Sequence, residues 1–115
     1  MADRRPKLLV DALSAIGAAR QFIAGHSLES YEADLMLRSA VERQMEILGE
    51  ACMRLQRLEP ELFVRIQSTR LAVALRNRII HGYDSVDDET VFDTVTQDLA
   101  TLALELQAWL DQISA

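Results

Sequence analysis

Seven apolar residues near the end of the chain, Phe92, Val95, Leu99, Leu102, Leu106, Trp109 and Ile113, follow one another at spacings of three and four. Only a helix that buries one stripe needs that period; a half-buried strand would alternate every second residue. Asp87 is placed to cap the helix, and Asp88 and Glu89 fall in its first turn, where the helix dipole favours negative charge. The pattern predicts a helix from about 87 to 113 whose seam pairs within a bundle or across a dimer. A stripe of this length has to be covered by other helices, so the remainder of the chain is read for them.

Pro6 suits a first helical turn, and Leu9, Ala12, Ile16, Ala19 and Ile23 continue at helical spacing, predicting a helix over 6–24. Gly25-His26-Ser27 breaks it, and His26 reads as a loop residue. A second, long helix is expected over 30–58, capped by Ser27 or Ser30, with Val41, Met45, Leu48, Cys52 and Leu55 in its buried row. Its opposite stripe is Arg43, Glu46, Glu50, Arg54 and Arg57, a salt-bridged face in which Glu50 and Arg54 are spaced to pair. Gly49 sits inside that helix at a cost of roughly 1 kcal/mol relative to Ala, which points to a close helix–helix approach. Pro60 interrupts the pattern. A short helical piece over 61–67 follows, then a third main helix from Ser68 or Thr69 with Leu71, Ala74, Leu75 and Ile79 buried and Gly82 at its end. The expected fold is all-α: an up-and-down bundle of four main helices plus a short helical piece, in one domain spanning 1–115.

No apolar run approaches the ~20 residues of a membrane helix, and the N-terminus lacks a signal-peptide core. Cys52 is the one cysteine, so nothing indicates an oxidising compartment, and a cytoplasmic location is expected. The formal net charge of −6 argues against a general nucleic-acid coat. The charges are unevenly spread, however. Between Leu62 and Tyr83 there are four arginines and no acid, whereas from Ile79 to Ala115 there are eight acids and no Lys or Arg.

The chemistry is concentrated in Leu75-Arg76-Asn77-Arg78-Ile79-Ile80-His81-Gly82-Tyr83. On a helix Asn77 and His81 share a face, and the amide can hydrogen-bond one imidazole nitrogen. Arg76 lies about 7.5 Å of rise from His81, within reach of a common anion. Arginine binds phosphate by paired hydrogen bonds, and histidine is the side chain suited to moving a proton near neutrality. Together they suit a phosphodiester, with Arg76 holding charge and His81 transferring a proton. The plainer reading is a histidine that caps the last carbonyls beside solvated arginines. One cysteine and no pair of histidines at ligand spacing leave no metal site in the pattern, and no cofactor is expected.

Arg76-Asn77-Arg78-Ile79-Ile80-His81-Gly82-Tyr83 resembles the motif of HEPN-domain proteins: arginine, a polar residue, three variable positions, histidine, one position, tyrosine. Ala40-Val41-Glu42-Arg43 and Ile47-Leu48-Gly49-Glu50-Ala51, with Val86-Asp87 before the last helix, extend the resemblance to HepT-like toxins of HEPN/MNT toxin–antitoxin modules. This resemblance implies a HEPN-like bundle that dimerises with two motifs facing one cleft. It implies a metal-independent endoribonuclease with Arg76 and His81 catalytic, Asn77 supporting, and RNA as substrate. It further implies a minimal nucleotidyltransferase antitoxin that adenylylates Tyr83, in a homodimer or a larger hetero-oligomer with that partner. The competing reading is a non-catalytic helical interaction module that binds the nucleotidyltransferase; toxicity cured by His81→Ala would count against it.

Overall fold

The computed structural model describes residues 2–66, 68–82 and 86–115, which form helices and, among the described residues, no strand. The elements are α1 (Arg5–Ile23), α2 (Leu28–Ala33), α3 (Leu35–Leu58), α4 (Pro60–Arg65), α5 (Ser68–His81), α6 (Asp88–Asp93), a π-helical turn (Thr94–Asp98) and α7 (Leu99–Ser114). The last three run on without a break, so four long helical rods and short pieces make the all-α, HEPN-like bundle expected from the sequence. No described helix is long and apolar enough to cross a membrane.

The core follows the predicted stripes. Leu9, Ala12, Ile16 and Ala19 of α1 meet Val41, Met45, Leu48, Cys52 and Leu55 of α3, all essentially inaccessible to solvent. The α1–α3 seam is the most extensive in the molecule; α5 packs on the other flank of α3, and α7 packs on α1. Leu99, Leu102, Leu106 and Trp109 are buried within the single chain, so the terminal seam closes inside the bundle.

Four expectations need correction. The helix foreseen over 30–58 is two helices broken at Asp34, whose backbone is extended (φ −112°, ψ 98°). The Asp34 carboxylate accepts a hydrogen bond from the Leu37 N–H and starts α3 afresh. Ahead of the break, Ser27 and Ser30 form a reciprocal capping box that starts α2 two residues early. The break lets α2 turn Tyr31 into the core, where its ring lies 5.8 Å from that of Phe92, tilted by 49°. Second, the terminal helix is not α throughout. Thr94 and Thr96 hydroxyls donate to the Thr90 and Phe92 carbonyls, each at 2.8 Å, beside the π turn. That turn adds one residue to the local repeat and brings Val91, rather than Phe92, fully into the core. Third, α5 is rotated: Thr69, Ala72, Leu75 and Ile79 are buried, while Leu71 and Ala74 face outward. The short piece α4 also begins and ends earlier than expected, and Gln67 lies outside the described residues.

Candidate active site at the end of α5

The rotation of α5 originates at Gly49. A Cβ placed there would lie 2.2 Å from Arg76 Cβ, 2.7 Å from Arg76 Cγ and 2.9 Å from the Ala72 carbonyl oxygen. The bare backbone of α3 therefore lets α5 seat Ala72 and Arg76 directly against it, and the close approach expected at Gly49 is present. Arg76 is consequently drawn inward, with only 18% of its side chain exposed.

A part-buried arginine has to be compensated. Arg76 Nη2 donates to Glu50 Oε2 at 2.9 Å, and Nη1 donates to Asn77 Oδ1 at 3.0 Å. Met53 Sδ lies 3.6 Å from Nη1. The Nε–H is buried and, among the described residues, has no hydrogen-bond partner. Glu50 also accepts from Arg54 Nε at 3.0 Å, so the pair foreseen on one stripe of α3 is in fact shared by two arginines. Three groups on two helices thus fix one guanidinium, which lowers the entropy lost when it engages an anion.

His81 occupies the last turn of α5 and is exposed. It is five residues beyond Arg76, or about 7.5 Å along the axis and roughly 140° around it. The two side chains do not leave the helix on the same side; Asn77 bridges the difference. Its oxygen is committed to Arg76, so its amide hydrogens remain for the side of the helix it shares with His81. Among the described residues no Asn77–His81 hydrogen bond is formed, in contrast to the contact the spacing allowed. The next residue, Gly82, carries the chain on from the helix, its N–H donating to the Arg78 carbonyl at 2.9 Å. Tyr83 lies outside the described residues. His26, read as a loop residue, is far along the chain and bonds Ser30 Oγ at 3.1 Å through Nδ1.

Glu50 was not singled out from the sequence as part of this site. Two signals could have found it: a glycine beside it in mid-helix, and an arginine in the apolar phase of α5 between Ala72 and Ile79.

Comparison with known proteins matches residues 12–109 to the family described as ribonuclease HepT-like. The chain belongs to that family. It is 31% identical over 98 residues to a Thermococcus cleftensis protein named "Probable ribonuclease HepT", covering 82% of this chain and 84% of the relative. A Caldanaerobacter subterraneus protein named as a "Putative RNase" is 26% identical over 90 residues, covering 78% and 80%. A Methanocaldococcus jannaschii protein with the same style of name is 27% identical over 99 residues, covering 86% and 84%. No solved structure matches at comparable stringency. In this HepT-like chain the family match spans α3, α5 and most of the terminal rod, and so contains every residue of the Arg76 constellation.

Proposed function

We propose that this HepT-like chain is the toxin of a two-gene toxin–antitoxin module and acts as an endoribonuclease through Arg76 and His81. The observation that carries the reading is the clamped Arg76, held by Glu50 and Asn77 one and a half turns before an exposed histidine at a helix end. The RNA 2′-hydroxyl attacks the adjacent phosphorus, its proton passing to a base, and the 5′-oxygen leaves with a proton. The products are a 2′,3′-cyclic phosphate and a 5′-hydroxyl. His81 moves a proton, and Arg76 offsets the charge that builds on the non-bridging oxygens. Asn77 orients Arg76 and presents its amide hydrogens toward the reacting group. No step requires a metal ion. One histidine per motif serves one proton transfer at a time, and a homodimer that sets two motifs across one cleft supplies both a base and an acid.

A minimal nucleotidyltransferase is the proposed antitoxin, with Tyr83 as the residue it adenylylates. AMP on that phenol would add a phosphate two residues from His81 and compete with RNA phosphate for the same cations. Intact-mass measurement after incubation with the partner and ATP reads this directly. For the nuclease, RNA cleavage by the full chain in the presence of chelator is expected to be lost in both Arg76→Ala and His81→Ala. Undiminished cleavage by His81→Ala would sink the assignment. The interaction-module reading drew on the acidic stretch 84–115 and on the terminal seam, and the seam is spent inside the bundle.

A further inference from the structure

A groove passes beside Arg76 along the α1–α3 seam. Its first part, about 430 Å³, is lined by Arg76 and Ile80 of α5 and by Arg43, Ile47 and Arg54 of α3. Its second part, about 780 Å³, is lined by Arg4 at the N-cap of α1, Lys7 in its first turn and Arg57 in the last turn of α3. Leu8, Asp11, Glu50 and Arg54 line both parts, so the two are one continuous depression.

The charge balance of this groove differs from that of the whole chain. Six cations and four acids line it, in a protein whose formal net charge is −6. Each of the four acids already has a cationic partner. Asp11 pairs with Lys7 at 3.0 Å and Glu46 with Arg43 at 3.1 Å. Glu50 is held by both Arg54 and Arg76, and Asp3 by Arg5 at 2.8 Å. Arg4 and Arg57, both exposed, take part in no ion pair among the described residues. The uncompensated positive charge therefore falls at the end of the groove remote from Arg76. The terminal rod offers no alternative track, having no Lys or Arg from Ile79 onward.

We infer that this groove holds the single-stranded RNA flanking the scissile phosphate, with Arg4 and Arg57 binding backbone phosphates away from the reacting one. The inference rests on the ribonuclease reading only in taking Arg76 as the site of the reacting phosphate. Arg43 and Arg57 stand about 21 Å apart along α3 with the Arg76-holding Glu50 midway, so each flank of Arg76 spans about 10 Å, room for about three stacked nucleotides at roughly 3.4 Å each. Among the described residues the groove lining contains no aromatic ring. Contacts there are to phosphate and to the apolar faces of Leu8 and Ile47, so the flank is bound with little regard to base identity.

The test uses the full chain carrying His81→Ala and a fluorescently labelled single-stranded RNA of about 12 nucleotides, with affinity measured by anisotropy across a salt series. Each phosphate contact removed from a single strand should lower the slope of log affinity against log salt by about 0.7, which is about fivefold in affinity near 0.1 M salt. Arg57→Ala and Arg4→Ala are each expected to show that change and together to show about twice the slope change. Arg20→Ala, an exposed α1 arginine outside the groove, should leave the slope unchanged. An RNA that binds with the same slope to wild type and to the double variant overturns the groove. Cleavage is scored separately with Arg76→Ala and His81→Ala. A nuclease whose groove variants bind normally refutes this inference alone, and groove-dependent binding without cleavage refutes the catalytic reading alone.

Discussion

Gly49→Ala isolates the contact on which the site depends. In an ordinary helix interior this substitution stabilises by about 1 kcal/mol, because alanine restricts the unfolded chain and glycine does not. Here the new methyl would sit 2.2 Å from Arg76 Cβ and 2.9 Å from the Ala72 carbonyl, where carbon atoms pack comfortably at about 3.5–4 Å. Neither obstacle is the far end of a flexible side chain, so α5 itself has to retreat by more than an ångström. Overpacking of this kind costs about 1–3 kcal/mol, and the part-buried Arg76–Glu50 pair is stretched as well. We expect a net loss of roughly 1–2 kcal/mol, or a Tm about 4–8 °C lower for a chain of this size. RNA cleavage should fall with it at temperatures where the variant remains folded. Gly17→Ala is the internal control: it lies inside α1, and nothing stands within 4 Å of its added Cβ. That variant should gain up to about 1 kcal/mol. Thermal unfolding of the two proteins by circular dichroism decides the matter. A Gly49→Ala protein that melts above wild type, as Gly17→Ala should, would refute the claim that bare backbone at this position holds α5 in place.

Two further outcomes can be checked without substrate. Burial, and next the nearby Asp88, raise the pKa of the Glu42 carboxyl, with Arg38 opposing and Glu46 adding to the rise. A carboxyl raised in the folded state favours folding while it is protonated, and that contribution is lost as pH climbs through its raised pKa. Glu42→Gln should therefore match wild type in acid and become the more stable protein toward neutral pH; a Tm difference that is flat from pH 4 to 8 would contradict this. Burial pushes the Cys52 thiol up to about 12, so a native sample at pH 8 should resist iodoacetamide and be alkylated only on unfolding. Rapid labelling of the folded protein would show that the α1–α3 core opens.

The bundle was legible because its long rods carry uninterrupted stripes: the α3 row from Val41 to Leu55 and the terminal row from Leu99 to Trp109 are both buried as read. The Glu50–Arg54 pair and the close approach at Gly49 were also visible as spacing and as a breach of propensity. What escaped were choices made by neighbours. Leu75 and Ile79 are buried as read, but Leu71 and Ala74 are as apolar as Ala72, and the glycine across the interface favours Ala72. Asp34 reads as one more acid near a helix start, yet its carboxylate ends one helix and begins another because Tyr31 has a place to fill beside Phe92. Of the site, the phase of Asn77 and His81 followed from helical geometry. The grip of Glu50 on Arg76 joins residues 26 positions apart and has no local signature.

The π turn at Thr94–Asp98 lets one continuous rod serve two masters. Ahead of it α6 answers to α2, and beyond it α7 answers to α1. The extra residue works like a clutch, turning the two halves of the rod by roughly a third of a revolution so that each meets its own neighbour. Removing a single residue there would restore a plain α-helix and oblige the rod to satisfy Val91 or Leu99, but not both. The most regular pattern in the sequence thus contains the one place where regularity had to be given up.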